Sequence, residues 1–377
     1  MRLKTLIVGA GPVGLATALA LKLRGVSDDI TVLEGAPKNA VSFGDRNIAL
    51  SSASWRFFAR LGVTLSASER APIREVEITQ RGAFGLLRLD ATDVSASELG
   101  AASPYPALKA ALDHATHAAG IQILYGAKVA SVQHVAQHAE VHLASGEQMR
   151  ADCVVLADGA GSDLVGEFKR IERDSGQTAI ITRVSASKPR PGVAFERFTD
   201  GGALALIPRS DGEWTVVWAR PRADAERMLQ LDALSLSTEI NAAFGNTMGE
   251  LTLTAKLTSY PLIWRFVEPR ASGAIVALGN AAQGLHPVAA QGLNLGLADA
   301  QQFAEAMAKR ANSIAATLAV FARQRGVDRV ARIGFTGLLA YGFDRGGWLF
   351  DVPRGLGLTA VQMLPPLRRE LTRQLAL

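Results

Sequence analysis

Several features that mark particular classes of protein are scarce in this sequence. Its 377 residues include a single cysteine, Cys153, so the chain can form neither an internal disulfide nor a dithiol redox pair. This excludes reductases that work through a cysteine pair, and a lone thiol suits a reducing compartment. Cys153 stands beside the apolar run Val154–Leu156, which indicates core packing.

The sequence also lacks the surface of a nucleic-acid-binding protein and the segment of a membrane span. Aromatic residues make up 6% of the chain, and the net charge of +5 includes no basic run interleaved with them. No 18 consecutive apolar residues occur without a charge. Met1–Lys4 and the apolar residues that follow it imitate a signal peptide, but the glycine motif Gly9–Gly14 lies within the apolar stretch that would form its core. We therefore interpret it as part of the fold and expect a cytoplasmic protein.

The N-terminal stretch has the order of elements that binds dinucleotides. In sequence these are an apolar strand over 5–8, glycines at Gly9, Gly11 and Gly14, a helix over 15–23, and a strand over 30–33 ending at Glu34. Gly9 permits the tight turn, Gly11 admits a pyrophosphate close to the backbone, and Gly14 lets the helix pack on the strand. The helix amides face the phosphates. The pattern predicts dinucleotide binding without separating FAD from NAD.

Glu34 restricts the choice of dinucleotide at this site. It follows the second strand, about 20 residues beyond the last glycine, where a carboxylate accepts hydrogen bonds from the ribose hydroxyls of an adenosine. The same carboxylate would repel a 2′-phosphate. NADP is therefore a poor fit for this particular site.

Two later strands also end in glycine-containing turns. The strand 153–157 leads into Asp158–Ser162, which lacks a third glycine at the right distance and so does not predict a second dinucleotide fold. The strand 274–278 leads into Gly279–Ala282 and then into a long helix that begins near Gly292. Amides at such a helix start stabilise negative charge.

Between these stretches the alternation of strand and helix breaks down. Consecutive strands predict a second, mainly antiparallel domain, and they are expected over 180–185, 192–198, 203–208, 214–220, 251–257 and 259–264. Further strands are expected over 73–79 and 86–89, with a small meander over 121–125, 128–135 and 139–143. Helices are expected over 53–61, 105–119, 223–244 and from 299 to about 332.

Other polar features of the sequence can be interpreted in more than one way. Five histidines between His114 and His142 match no metal-ligand spacing, and we interpret them as solvent-facing. Arg46, taken alone, is better explained as a surface arginine than as a cofactor ligand. The tail over 364–377 predicts a basic amphipathic helix, for which contact with a membrane or partner and docking on its own protein stay equally open.

Three separated motifs together resemble one family. Gly9–Gly14 with Glu34, Ala157–Gly159, and Gly279–Ala282 running on to Asn294 are similar to the single-component FAD-dependent aromatic hydroxylases of the p-hydroxybenzoate-hydroxylase fold. Their order and separation fit over essentially the whole chain. Within the family, the chain looks most like the ubiquinone-biosynthesis hydroxylases. The segments that carry this likeness are Ala194–Thr199, Leu206–Pro208 with Ser210–Gly212, Asn280, Arg354–Leu358 and Leu364–Leu367.

The resemblance implies an α/β fold with an α+β second domain. A Rossmann-type FAD-binding domain over 1–72, 104–170 and 265–330 would be interleaved with an antiparallel-sheet substrate domain over 73–103 and 171–264. Residues 331–377 would form a C-terminal helical region. The implied reaction is hydroxylation of the ring of a polyprenylated phenol in ubiquinone biosynthesis, with NADPH or NADH and O₂, through a flavin C4a-hydroperoxide.

The same resemblance assigns cofactor contacts and reverses the interpretation of Arg46, which would reach the flavin side. The residues assigned to FAD are Gly9, Gly11, Pro12, Val13, Gly14, Glu34, Arg46, Asp158, Gly159, Asn280, Pro287, Gln291, Gly292, Leu293 and Asn294. Asn280 stands where relatives carry Asp. Ala290 and Val165 replace the usual Gly and Arg, which puts the pocket and a cofactor contact in doubt. No catalytic residue and no metal site is predicted.

Three alternatives stay open. The chain could hydroxylate another ring position or another aromatic. It could be a non-catalytic flavin-fold subunit of a biosynthetic complex, which the departures at Ala290 and Val165 keep in play. It could also be a prenyl-lipid reductase on the same fold.

Overall fold

The chain folds into a mixture of β-strands and α-helices. The computed structural model describes residues 3–38, 40, 44, 46–160, 164, 168–284, 291–310, 313–326 and 348–376. The strands are β1 (Lys4–Val8), β2 (Asp29–Glu34), β3 (Asn47–Ser51), β4 (Ala71–Ile73), β5 (Glu75–Gln80), β6 (Leu86–Asp90), β7 (Gly100–Pro104), β8 (Gln122–Tyr125), β9 (Val129–Val135), β10 (His138–Leu143), β11 (Gln148–Ala151), β12 (Cys153–Leu156), β13 (Lys169–Ala186), β14 (Val193–Thr199), β15 (Gly202–Pro208), β16 (Trp214–Pro221), β17 (Leu251–Leu253), β18 (Thr258–Glu268), β19 (Ala271–Ser272), β20 (Ile275–Ala277) and β21 (Gln283–Gly284).

The helices cover one face of these strands or close their ends. They are α1 (Pro12–Leu23), α2 (Ser52–Arg60), α3 (Tyr105–Ala118), α4 (Arg222–Met228), α5 (Ala233–Phe244), α6 (Gln291–Ala308), α7 (314–326), α8 (Trp348–Met363) and α9 (Pro365–Ala376). The single helix expected over 223–244 is two helices, because Asp232 caps a new one by accepting from the Ser235 amide at 2.8 Å. The helix expected from 299 to about 332 is interrupted near Lys309, and its last part lies outside the described residues.

A six-stranded sheet places the glycine turns at one edge. Its order is β19-β20-β12-β1-β2-β8, and every neighbouring pair is parallel except β19 with β20. β1 and β12 lie at its centre, and Leu6, Ile7, Val154 and Val155 are all fully buried. Parallel strands present their carboxyl ends at the same edge. The turns that follow β1, β12 and β20 therefore meet there.

The predicted meander was wrong in one strand. β8 pairs in parallel with β2 at the edge of the six-stranded sheet. The actual meander is β9-β10-β11, and β11 (Gln148–Ala151) was missed. Local alternation identifies a strand but not its partner, and the partner of β8 is about 90 residues away in the chain.

The largest sheet follows the expected antiparallel pattern with one exception. Its order is β21-β18-β13-β16-β15-β14-β5-β6, with β17 beside β13, and β14 pairs with β5 in parallel. β13 runs over 18 residues, far longer than the expected 180–185. Its first half, Lys169–Gln177, is charged and largely exposed, so it lacks the apolar alternation that marks a strand. We call this assembly the large sheet.

A small sheet, β3-β7-β4, lies against the large sheet. Ala71, Ile73 and Ala102 form its buried apolar side, and Ala194 and Ile207 of the large sheet pack on them. Arg46 directly precedes the strand β3. The helix begins six residues later, where the Ser51 hydroxyl caps α2 by accepting from the Ser54 amide at 3.3 Å.

The C-terminal helices pack on the protein itself. Leu371 and Leu375 of α9 join a cluster with Leu87 and Leu89 of β6. The guanidinium of Arg368 donates three hydrogen bonds of 2.8–3.2 Å to the Asp93 carboxylate. The inward side of the predicted basic helix therefore docks on its own chain. Within the described residues, no helix is long and apolar enough to cross a membrane. The domain boundaries stay a prediction.

Candidate functional site: the edge where three glycine turns meet

The first turn is held tightly between β1 and β12. Gly9 has a φ of +101°, and a Cβ there would lie 2.6 Å from the Ala157 carbonyl oxygen. A Cβ on Gly14 would overlap the Gly9 carbonyl oxygen. Both glycines are therefore required by the packing of the turn, as the sequence predicted.

Gly11 has the opposite environment, because a Cβ built on it would meet nothing within 4 Å. It caps α1, Pro12 occupies the first helical position, and the first turn contains no acidic side chain. Open space in front of amides at a helix start favours an anion. The geometry fits a pyrophosphate approaching the backbone at Gly11.

Glu34 is held beside this turn. Its Oε2 accepts a hydrogen bond from the Ala10 amide at 2.8 Å, and its Oε1 accepts from the Ala36 amide at 2.9 Å. Two backbone donors thereby fix the carboxylate at the end of β2, which parallel pairing places next to β1. Each oxygen retains a lone pair for a ribose hydroxyl.

The third turn packs on the first through Val13. A Cβ on Gly279 would lie 3.0 Å from Val13 Cγ2, and one on Gly296 would lie 2.6 Å from the same atom. Gly292 is beside Asn280, since its Cβ would lie 3.8 Å from Asn280 Oδ1. The side chain of Asn280 is exposed at this edge. The starts of α1 and α6 are thus brought together.

A buried ion cluster, which the sequence analysis missed, holds the third turn in place. The Asp299 carboxylate accepts from Arg270 Nη1 at 3.1 Å, from Arg325 Nε at 2.7 Å and from the Gly279 amide at 3.2 Å. Asp299 is 0% exposed and the two arginines 2–3%. The sequence did contain one signal for this cluster. An acidic residue stands inside the apolar run of α6, and a buried carboxylate requires buried partners.

Asn294 connects α6 to the small sheet. Its Oδ1 accepts from the Ser51 amide at 2.9 Å and from the Ser54 hydroxyl at 2.8 Å, and its Nδ2 donates to the Ala49 carbonyl at 3.3 Å. The resemblance assigned this side chain to the cofactor. Its observed hydrogen bonds anchor β3 and the start of α2 beside the helix.

The small sheet in turn joins the large sheet near Arg46. The Arg46 guanidinium lies 4.8 Å from the centre of the Tyr260 ring, and Asn47 Nδ2 donates to the Pro208 carbonyl at 3.0 Å. Burial raises the pKa of Tyr105 to about 12, although the Arg46 charge opposes that shift. Arg46 therefore stands where the two sheets meet.

The other predicted contacts differ in position. Asp158 is exposed at the end of β12, and Gly159, at a φ of +97°, faces open space. Gln291 is the first residue of α6, and Leu293 packs partly into the core behind the turns. Pro287, Val165 and Ala290 lie outside the described residues.

Cys153 is fully buried within β12, and burial raises the pKa of its thiol to about 12. The thiol therefore carries no thiolate at neutral pH. The structural role predicted for it is confirmed.

The relationship to known proteins follows from this arrangement. Residues 2–319 match the family described as FAD binding domain. The chain belongs to this family. It is an FAD-dependent enzyme of the monooxygenase class, and the predicted cofactor, FAD, is confirmed, with NAD(P)H the reductant typical of the family.

Individual proteins resemble this chain over most of their length. The ubiquinone hydroxylase UbiL of Rhodospirillum rubrum is 27% identical, covering 98% of this chain and 88% of that protein. The 3-demethoxyubiquinol 3-hydroxylase of Escherichia coli is 28% identical, covering 97% and 96%. The crystal structure of PqsL, a probable FAD-dependent monooxygenase from Pseudomonas aeruginosa, superposes with a TM-score of 0.77 at 20% identity, covering 96% and 100%. The predicted fold is confirmed.

We expect Asp299→Asn to unfold this FAD-domain chain at much lower urea concentration. The change leaves Arg270 and Arg325 buried without their counter-charge, at a cost of about 3–5 kcal/mol. The free energy of unfolding of the protein without added FAD measures this. Asp174→Asn, which breaks an exposed pair with Arg222, is the matched control and should have little effect. An equally small effect at Asp299 would contradict the structural role of the cluster.

Proposed function

We propose that this FAD-dependent enzyme hydroxylates the ring of a polyprenylated phenol in ubiquinone biosynthesis, with NAD(P)H and O₂. The observation that carries the proposal is the meeting of three glycine turns, which Asn294 and the small sheet connect to an apolar face of the large sheet. The names of the relatives support the pathway. The segments Ala194–Thr199 and Leu206–Pro208, together with Asn280, resemble 2-octaprenyl-6-methoxyphenol hydroxylase.

In this proposal each turn binds a different part of the cofactor. The ADP half would be held by Gly9, Gly11, Pro12, Val13, Gly14 and Glu34. The pyrophosphate and the nicotinamide path would be lined by Asp158 and Gly159. Asn280 would form a hydrogen bond with the ribityl chain. The flavin side would be surrounded by Arg46, Pro287, Gln291, Gly292, Leu293 and Asn294. The chemistry that bound FAD would supply is the acceptance of electrons from NAD(P)H and the activation of O₂.

The protein's own contribution is an apolar enclosure for the ring. Ala194 and Ile207 close against the small sheet, and Phe198 packs with Ala203 and Ile78 on the same side of the large sheet. Such walls exclude water from the reacting groups. They also suit a substrate that is largely hydrocarbon.

We expect Gly11→Ala to lose FAD without losing the fold. The added methyl meets no protein atom within 4 Å, but it occupies the space where a pyrophosphate would approach. FAD affinity should fall at least about tenfold, while the melting temperature without FAD stays close to that of the wild type. Flavin fluorescence and calorimetry measure the two quantities.

Gly14→Ala is the matched contrast, because its methyl would overlap the Gly9 carbonyl oxygen. It should lower the stability of the protein itself. A Gly11→Ala protein that bound FAD as tightly as the wild type would remove this turn from the cofactor site.

The reaction is tested by mixing FAD-loaded protein with NADPH and a 2-polyprenyl-6-methoxyphenol analogue, first without O₂ and then with it. Faster flavin reduction in the presence of the phenol, followed by one hydroxylated product, would support the proposal. Reduction that ignores this phenol but responds to another would reassign the substrate. A saturated prenyl chain would indicate a reductase. Failure with every phenol would favour a non-catalytic subunit.

We also propose that the protein is cytoplasmic and contacts the cytoplasmic surface of the membrane, where a prenylated phenol would reside. Val352, Leu356 and Met363 lie on one stripe of α8 and are 44%, 58% and 76% exposed. Leu367 of α9, 44% exposed, extends the apolar surface. The neighbouring Arg369 and Arg373 are exposed and suit anionic headgroups.

Replacing both Leu356 and Met363 with Asp should weaken binding to vesicles that contain anionic phospholipid. Two apolar side chains would be lost from the lipid and two negative charges added, so we expect affinity to fall about tenfold or more. Vesicle co-sedimentation measures it. Leu234→Asp on α5, at a site 79% exposed, is the matched control. Equal binding by all three proteins would rule out this surface.

A further inference from the structure

One carboxyl group of the large sheet points away from the core that its neighbours fill. Phe195 lies edge-on to Phe244 of α5, with ring centres 5.3 Å apart. Arg197 Nε donates to the Ala243 carbonyl at 2.9 Å. Because side chains alternate along a strand, Glu196 projects from the opposite face of β14.

That opposite face is the apolar enclosure described above. The register pairs Glu196 with Ala205 of β15 and with Ile78 of β5. Ala194, two residues earlier, packs on the small sheet that leads to Arg46 and the glycine turns. We call the surface formed by Ala194, Glu196, Ala205, Ile78 and Ile207 the inner face.

Glu196 has an unmet hydrogen-bonding requirement on this face. Its Oε1 atom is buried and, within the part of the chain described by the structure, accepts no hydrogen bond, although the residue as a whole is only partly buried. Native proteins rarely leave a buried acceptor unpaired unless a ligand or water completes it. The directly opposed residue of β15, Ala205, carries no polar side chain that could pair with the carboxyl.

Two arginines on this side of the large sheet pair with carboxylates other than Glu196. Arg183 of β13 lies within 3.6–3.9 Å of Asp211 and Glu213. Arg209 Nε donates to Asp211 at 3.1 Å. Arg354 of α8 precedes Gly355, which lies against Phe84 in the connection between β5 and β6. Burial raises the pKa of Glu196 to about 7.

We propose that Glu196 binds the hydroxyl group of the phenol substrate and accepts its proton. This rests on the proposed function. The phenol O–H bond breaks, its proton moves to a carboxylate oxygen of Glu196, and the electron pair stays on the phenol oxygen. The ring thereby becomes more electron-rich at the carbons ortho and para to that oxygen. No other reactant is required for this step.

The chemistry of the group suits the task. A general base works best when its own pKa is close to the working pH, and a carboxylate that has lost its water is a stronger acceptor than an exposed one. A phenol hydroxyl would also supply the hydrogen bond that Oε1 lacks. The inner face would therefore both recognise the ring hydroxyl and activate it.

Binding of a 2-methoxyphenol analogue to FAD-loaded protein tests the contact without turnover. Only ionised Glu196 accepts the hydroxyl proton, so affinity should rise with pH up to about 7 and then level off. The total rise should be about tenfold, as for a hydrogen bond to a charged group. Binding at pH 7 should release up to about half a proton, measured with an indicator dye.

Three variants separate the possibilities. Glu196→Gln keeps the shape but should lose both the pH step and the proton release. Glu196→Asp should retain both with weaker binding. Glu172→Gln, the same substitution at an exposed position of β13, should behave as the wild type. A Glu196→Gln protein with the wild-type pH step and proton release would overturn the proposal.

Stability of the protein without substrate supplies an independent check. The pKa of Glu196 is raised from 4.5 in the unfolded chain to about 7 in the fold. The folded state therefore binds more protons between these values, and stability falls as pH rises from about 4.5 to about 7. Glu196→Gln should lack this contribution. If it showed the wild-type dependence, Glu196 would not be the buried acid that the proposal requires.

Turnover separates this inference from the proposed function. Wild-type protein that hydroxylates a phenol, paired with a Glu196→Gln protein whose kcat/KM has the same pH profile, would overturn the role of Glu196 while leaving the function intact. Wild-type protein that binds no phenol would remove both. Loss of the acidic limb of the kcat/KM profile in Glu196→Gln alone, with recovery in Glu196→Asp, would support both.

Discussion

The buried carboxylate of Asp299 fixes the turn on which the rest of the site depends. It binds the Gly279 amide and two buried arginines at once, so it ties the end of β20 to α6 and α7. Gly279 and Gly296 then pack against Val13, which ties this turn to the first. The charges of Asp299, Arg270 and Arg325 thus pair with one another inside the protein. The exposed backbone at Gly11 remains available to bind an anion.

The second constraint is how that edge reaches the large sheet. Asn294 links α6 to β3, and β3 reaches the large sheet through Asn47 and Pro208. The connection is a series of polar contacts between rigid elements, and the apolar contacts of Ala194 and Ile207 lie beside it. The proposed reaction requires a flavin and a phenol to be held at a fixed separation, and this series of contacts would supply the rigidity.

Much of the fold could be predicted, because its first motif is local. The glycines, helix and acid of residues 5–34 carry their own spacing, and the observed β1, α1 and β2 agree with it closely. Pairing over long distances could not be predicted: β8 joins β2, and charged Lys169–Gln177 forms half of β13. Asp299 was missed for the same reason, since its partners come from 26 and 29 residues away. The proposed cofactor contacts came from resemblance, and the structure places most of them at one edge.

Glu196 illustrates why sequence alone identified no base. It stands in Phe-Glu-Arg-Phe, where alternation allows either face to be the solvated one. The packing of Phe195 on α5 assigns Glu196 to the inner face. A protein selected only for stability would replace a buried, unpaired carboxyl with an apolar side chain of similar volume, because desolvating the charge is costly. Under the proposal above, the hydroxyl of a bound substrate would supply the hydrogen bond that Oε1 lacks within the described residues.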